Sequence, residues 1–154
     1  MRDLVIERYY NTDAATLFAF LTEEEHIPKW WCPEGVSVVK ETMVFDQQGP
    51  WTVTMRGDDT GELHKVSGKI VEYNPPHRLR YTWGWHDDED NVRGHESEVS
   101  FNIKPDGEGV KLTMRHIGLE SEESLEDHRN GWESTMTKLD RIFMVHPDDI
   151  GALT

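Results

Sequence analysis

The feature that most restricts the fold of this chain is a series of short alternating segments between residues 36 and 117. In "WTVTMR", Trp51, Val53 and Met55 occupy every second position, and "LRYTWGW" repeats the pattern with four large apolar residues. Successive side chains of a strand point to opposite faces of a sheet, so each segment predicts one apolar face. Turn sequences rich in Gly, Pro and Asp separate the segments, which predicts six strands joined as an antiparallel meander.

The segment before the meander predicts one further strand and two short helices. "LVIERYY" is rich in β-formers, which brings the predicted sheet to seven strands. The next residues change to a helical period, and one of the polar residues 11–13 caps the first helix. Thr22 with Glu25 three residues later has the spacing of a capping box, which predicts a second helix. This helix would end at Trp30 and Trp31, which either anchor it or cover a cavity.

The last third of the chain predicts one long amphipathic helix. Trp132, Met136, Leu139 and Phe143 follow one another at spacings of four, three and four, which places them in one stripe. About 20 residues at 1.5 Å each give a helix about 30 Å long, enough to cross a sheet. The apolar stripe of the helix and the apolar face of the meander must both be buried, and each can bury the other. We therefore expect a single α+β domain over residues 1–154, in which a curved antiparallel seven-stranded sheet wraps around the long helix.

The charge and the motif content of the chain narrow the classes of partner. Sixteen basic against 30 acidic residues give a formal net charge of −14, which repels nucleic acid and anionic membranes. Neither a P-loop nor a dinucleotide fingerprint occurs, Cys32 is the only cysteine, and the acidic loop 87–90 lacks the spacing of a calcium site, so we expect no cofactor and no metal. With neither an apolar signal block nor a membrane-length apolar run, the chain is expected to be soluble and cytoplasmic.

The order of the predicted elements, a strand, two short helices, six strands and a long helix, is that of the helix-grip or START-like (SRPBCC) fold. Segments such as "FLTEEEHIPKWWCP", "SGKIVEYNPPHRLRYTWGW", "SEVSFNIKPDGEGVKLTMRHIGL" and "NGWESTMTKLDRIF" resemble the family of activators of heat shock protein 90 ATPase, from about Val5 to Phe143. The resemblance implies a deep apolar cavity between the sheet and the long helix. It also implies a chaperone as a candidate partner and a role in stress response.

A hydrophobic small molecule bound in that cavity is the first hypothesis for function. Apolar side chains would bury the ligand, while Tyr81 and His116 would orient it by hydrogen bonds. Within "LRYTWGW", Leu79 is expected to pack in the core and Trp85 to lie at a rim. The predicted ligand-binding residues are Trp51, Val53, Met55, Tyr81, Trp83, Phe101, Met114, His116, Trp132 and Met136.

Two other functions stay open, and the protein is expected to be a monomer or a homodimer in each case. A cyclase-like or hydrolase-like enzyme would use His116 and Tyr81, or a carboxylate such as Glu98 or Glu133, as acid and base. A chaperone-associated interaction module would instead use the acidic surface. His116 is also compatible with a hydrogen-bonded histidine of the core.

Two residues beside Trp132 each allow a structural and a functional interpretation. Gly131 inside a helix costs about 1 kcal/mol relative to alanine, which indicates either a close approach to the sheet or room for a ligand. His128 precedes Trp132 by one turn and faces either the cavity mouth or solvent.

Overall fold

The computed structural model describes residues 3–45, 49–87 and 89–143. Its strands and α-helices are β1 (Leu4–Tyr10), α1 (Ala14–Thr22), β2 (Val36–Val38), β3 (Val44–Phe45), β4 (Pro50–Gly57), β5 (Leu63–Asn74), β6 (Arg78–His86), β7 (Arg93–Asp106), β8 (Gly109–Ile117) and α2 (Glu122–Phe143). Neighbouring strands are antiparallel, and their order along the sheet is β1-β8-β7-β6-β5-β4-β2. The predicted path of seven strands is confirmed.

The first segment of the predicted meander, residues 36–45, is divided into β2 and β3 by a 3-10 turn at Lys40–Thr42. The Thr42 hydroxyl donates to the Val39 carbonyl at 2.7 Å and accepts the Thr54 backbone N–H at 3.1 Å. Because one side chain takes up backbone groups that a continuous ladder would use, the chain turns here. The two-residue strand β3 then pairs with β4 beside the main path.

One of the two predicted short helices is an α-helix, and the other is a single 3-10 turn. Asp13 caps α1, because its carboxylate accepts a backbone N–H three residues later at 2.7 Å. Thr22 ends this helix instead of starting the next one, since its hydroxyl donates to the Phe18 carbonyl. The predicted capping box with Glu25 is therefore wrong, and only the three-residue turn Ile27–Lys29 follows.

The long helix α2 confirms the predicted apolar stripe. Trp132, Met136, Leu139 and Phe143 are all buried in the same cluster as the inward-facing residues of the sheet. Neither α-helix in the described part of the chain has the length and the apolar content of a membrane span.

Polar contacts hold the C-terminal half of α2 close to strands at the two ends of the sheet. Asp140 accepts hydrogen bonds from the Tyr10 hydroxyl at 2.7 Å and from Arg8 Nε at 3.1 Å, both on β1. On the other side, the Lys138 ammonium donates to the Val36 carbonyl of β2 at 3.3 Å. The N-terminal half of the helix carries smaller and more polar residues, and a cavity opens there between helix and sheet.

Candidate functional site

A cavity of about 740 Å³ lies between the N-terminal half of α2, residues 31–33 and strands β4 to β6. Trp31, Trp83, Trp85 and Trp132 line it, and we call these four residues the tryptophan wall. Three separate segments supply them: the stretch after the 3-10 turn, strand β6 and helix α2. The volume is within the range of small-molecule sites, roughly 300 to 1,000 Å³.

Trp83 is the centre of the tryptophan wall. Its ring centroid lies 5.6 Å from that of Trp31, 5.6 Å from that of Trp85 and 5.5 Å from that of Trp132, in tilted or edge-to-face arrangements. Within the described residues, its indole nitrogen is the one buried side-chain polar atom without a hydrogen-bond partner. The Trp83 ring is therefore held by contacts with other aromatic rings.

The mouth of the cavity is acidic. Glu120, Glu123 and Asp127 border the cavity beside the first turns of α2, and all three are exposed. His64 of β5 lies on the opposite side and is half-buried. Below, the mouth means the three residues Glu120, Glu123 and Asp127.

The structure divides the ten predicted ligand-binding residues into two sets. Met55, Trp83 and Trp132 line the cavity. The other seven lie in the packed core outside the lining: Trp51, Val53, Tyr81, Phe101, Met114, His116 and Met136. Trp30 explains part of this division, because its buried ring contacts Phe101 edge-on at 6.2 Å and fills the interior there.

The apolar residues on one face of β6 pass from the packed core to the cavity along the strand. Leu79 and Tyr81 are buried in the core, Trp83 is buried but lines the cavity, and Trp85 is half-buried at its edge. Along β6, the lining of the cavity therefore begins after Tyr81.

His116 has the contacts of a structural histidine. Trp132 Nε1 donates to His116 Nδ1 at 3.0 Å, so the ring proton is on Nε2, which donates to Ser97 Oγ at 2.7 Å. The ring is fully buried, and burial, with a smaller contribution from His128, lowers the pKa of His116 to about 3. Both nitrogens are thus occupied, and the ring is neutral at neutral pH.

His128 is a cavity residue that the sequence left undecided. Its Nε2 accepts a hydrogen bond from Trp85 Nε1 at 3.1 Å, and its Nδ1 donates to the Ser124 carbonyl at 2.8 Å. Burial is the largest cause of its lowered pKa, and the hydrogen bond to Ser124 and then the Asp127 carboxylate partly offset it. The neutral ring holds Trp85 in place against α2.

On the α2 side of the cavity, the sequence left His128 and Gly131 open and gave no prediction for Ser124, Asp127 and Thr135. Ser124, Asp127, His128, Gly131 and Thr135 lie on one face of the helix, because each has another of them three or four positions away. These side chains are small or polar, so hydrophobic periodicity gives no signal for them. Helical spacing extended toward the N-terminus from the apolar stripe is the signal that finds them. The remaining lining residues outside the predicted set are Trp31, Cys32, Pro33, His64, Trp85, Glu120, Ser121 and Glu123.

Gly131 and Cys32 face the cavity without chemistry of their own. A Cβ atom at Gly131 would meet only Pro33 Cγ, at the ordinary contact distance of 3.8 Å, so no close approach requires the glycine. Burial raises the pKa of the Cys32 thiol to about 12, which keeps it protonated and unreactive.

The acidic hairpin loop forms its own turn. The Asp87 carboxylate accepts the backbone N–H groups of Glu89 at 2.8 Å and of Asp90 at 3.3 Å, and these bonds lower its pKa. Asp88 lies outside the described residues. The Asp90 carboxylate likewise accepts the backbone N–H group of Val92 at 2.9 Å, so carboxylates of the loop stabilise its own backbone.

One group of metal-ligand types occurs in the described residues outside the cavity. Glu23, Glu25 and His26 bring their ligand atoms within 4.8 Å of one another. Both carboxylates are exposed, and the His26 ring stacks on Phe20 at 4.2 Å. His26 thus has an aromatic partner and two carboxylate neighbours.

A curved antiparallel sheet closed by a long C-terminal helix, with a cavity between them, defines the helix-grip class of proteins. The chain belongs to the family described as Activator of Hsp90 ATPase homolog 1-like protein, whose model matches residues 11–144. The family resemblance of the sequence is thereby confirmed.

Solved structures share this architecture. The AHSA1 protein from Silicibacter pomeroyi is 35% identical, with a TM-score of 0.84 over 90% of this chain and 95% of that chain. A protein from Chromobacterium violaceum is 18% identical, with a TM-score of 0.82 over 94% and 98% of the two chains. One from Mycobacterium smegmatis is 19% identical, with a TM-score of 0.74 over 94% and 92%. At 18% and 19% identity, the Chromobacterium violaceum and Mycobacterium smegmatis structures show only that the fold is shared. No curated protein matches the chain.

Proposed function

We propose that the protein binds an apolar small molecule in the cavity between the sheet and α2. The observation that supports this most is the tryptophan wall around a volume of about 740 Å³. Apolar surface buried there contributes about 25 cal/mol per Å², and the indole faces add stacking. In this proposal Met55, Trp83 and Trp132 contact the ligand directly.

The seven predicted residues outside the lining act in this proposal as a rigid layer that positions the tryptophan wall. The Trp51 ring lies 5.8 Å from Trp31 and 5.7 Å from Trp83. Its own nitrogen is fixed by a hydrogen bond to the Thr82 carbonyl at 3.0 Å. Because the side chains of the tryptophan wall are already fixed, less conformational entropy is lost when a ligand binds.

The side chains considered for acid–base catalysis favour binding over turnover. Burial raises the pKa of Tyr81 and lowers that of His116 to about 3, so neither exchanges a proton near neutral pH. Glu98 and Glu133 are paired with arginines and are not lining residues of the cavity. We therefore place the enzymatic alternative second.

Nile red, a neutral dye that becomes fluorescent in apolar surroundings, tests the proposal. Gly131→Phe places a ring in the cavity, whereas Asn130→Phe places the same ring on an exposed position of the same helix. We expect the unmodified protein and Asn130→Phe to bind the dye, and Gly131→Phe to lose most of the signal while keeping its circular dichroism spectrum. Equal binding by both variants, or no binding by the unmodified protein, contradicts the proposal.

A chaperone partner stays a prediction that rests on the family description. The surface available for such contact is acidic, as the net charge of −14 requires. Pull-down of purified heat shock protein 90 at low salt checks it, and retention that decreases with salt is the expected result. Failure to retain the chaperone at any salt concentration removes this function.

A further inference from the structure

Two of the three carboxylates of the mouth lack the ion-pair partners that other surface carboxylates have. Among residues 3–45, 49–87 and 89–143, Glu120 and Glu123 take part in no ion pair, although both are charged side chains at the edge of an apolar cavity. Elsewhere on the surface, Arg80 pairs with Glu72 at 3.3 Å and with Glu98 at 3.0 Å. Negative charge is thus left uncompensated at the entrance of the cavity.

Positive charge is missing from the lining as well. In the described part of the chain no lysine or arginine lines the cavity, and its basic side chains are the imidazoles of His64 and His128. Lys138 lies near Cys32, but its ammonium donates to the Val36 carbonyl at 3.3 Å. A carboxylate or phosphate on a ligand would therefore pass the mouth and find no compensating cation inside.

The tryptophan wall adds a second attraction for positive charge. An indole face carries a negative quadrupole, and tryptophan binds cations more strongly than tyrosine or phenylalanine. Trp85 is half-buried at the cavity edge, and its indole nitrogen donates at 3.1 Å to His128, the neighbour of Asp127 in the sequence. Aromatic faces and carboxylates therefore occur together at the same end of the cavity, and the net charge of −14 attracts cations from a distance.

We infer that the cavity selects an amphipathic organic cation, with its apolar body against the tryptophan wall and its ammonium group at the mouth. This inference rests on the proposed function and adds the charge of the ligand to it. Glu120, Glu123 and Asp127 face the ammonium group, and Trp85 contributes its indole face beside them. Neutral molecules of the same shape bind more weakly, and anions bind most weakly.

Three probes with one naphthalene body and different charges separate the two proposals: naphthylmethylamine, naphthylmethanol and naphthoic acid. Calorimetric titration of the intact protein at neutral pH and low salt should give the order amine, alcohol, acid, with the amine about tenfold tighter than the alcohol. Added salt should weaken only the amine toward the alcohol. Equal affinities of amine and alcohol overturn the selection of a cation and leave the proposed function intact. Binding of none of the three overturns the proposed function itself.

A pair of single-charge variants on α2 locates the selectivity. Glu123→Gln removes a carboxylate of the mouth, and Glu126→Gln removes an exposed carboxylate of the same helix that pairs with Arg129 outside the cavity. We expect Glu123→Gln to weaken the binding of the amine severalfold more than the binding of the alcohol, and Glu126→Gln to leave both affinities unchanged. The same loss of amine affinity in both variants would assign the effect to net charge and overturn the role of the mouth.

Discussion

The indole nitrogen of Trp132 donates a hydrogen bond to Nδ1 of His116 across 3.0 Å, and this bond joins α2 to β8. Trp132 lines the cavity and also contacts the buried histidine, so one side chain connects the ligand site with the core. The bond requires an unprotonated Nδ1, because an imidazolium has two donors and no acceptor. The neutral state of His116 therefore supports the shape of the cavity.

The stability of the protein should decrease in mild acid because of His116. Its ordinary pKa is 6.5, and burial and then His128 lower it to about 3 in the folded state. Below the ordinary value the unfolded chain binds a proton that the folded chain does not. The free energy of unfolding is therefore highest above pH 6.5 and falls toward pH 3 by up to about 1.4 kcal/mol per pH unit from this residue. Urea unfolding across this range measures the slope, and His116→Gln should make it shallower. An identical slope in both proteins would contradict this account.

Two tryptophan-to-phenylalanine variants should differ in stability. Trp132→Phe leaves the buried Nδ1 of His116 without its donor, and we expect a loss of about 1–3 kcal/mol. Trp85→Phe removes the donor to His128 Nε2, but this site is half-buried beside the cavity, where water replaces the bond, so we expect a loss below about 1 kcal/mol. Chemical denaturation compares them, and an equal loss in both would exclude the buried acceptor as the cause.

Two glycine-to-alanine variants should change stability in opposite directions. Gly131→Ala should stabilise the protein by about 1 kcal/mol, because alanine favours the helix and the new Cβ has only an ordinary contact with Pro33. Gly68→Ala on β5 should destabilise it by about 1–3 kcal/mol, because the new Cβ would overlap the Thr82 carbonyl and lie 2.6 Å from Trp51 Nε1. Melting temperatures report both signs. Destabilisation by Gly131→Ala would mean that the helix needs the glycine for packing.

The contact of α2 with β1 should be worth more than an exposed ion pair of the same helix. Asp140 is 22% exposed and binds both Arg8 and Tyr10, so Asp140→Asn should cost about 1–3 kcal/mol. Glu34 pairs with Arg141 in solvent, with 47% of the glutamate side chain exposed, and Glu34→Gln should cost less than about 1 kcal/mol. The urea midpoints of the two variants check this order of stability losses. A larger loss of stability in Glu34→Gln than in Asp140→Asn would contradict it.

Much of the fold follows from local patterns in the sequence. Alternation identifies the long strands because each has one face in the core, and the stripe from Trp132 to Phe143 identifies α2 for the same reason. The interruption at Lys40–Thr42 depends on what one hydroxyl binds across the sheet, and periodicity carries no such information. The capping box at Thr22 failed similarly, because the hydroxyl bonds backward to Phe18.

The site was less accessible to prediction than the fold. Alternation shows which residues face the interior, but it does not show where the interior is hollow. That place is set by long-range contacts, with Asp140 and Lys138 holding one half of α2 to the sheet and Trp30 filling space beside Phe101. Met55 and Trp83 thus line the cavity, whereas Val53 and Tyr81, next on the same strand faces, lie in the core.

The indole signals of the six tryptophans test the central claim most directly, because the protein contains its own control. Trp31, Trp83, Trp85 and Trp132 line the cavity, while Trp30 and Trp51 lie outside its lining. In a nitrogen–proton correlation spectrum titrated with naphthylmethanol, we expect saturable shifts of the four cavity indoles and a stationary signal for Trp30. Six stationary signals at probe concentrations near the solubility limit, or shifts confined to Trp30 and Trp51, would contradict a ligand site between the sheet and α2.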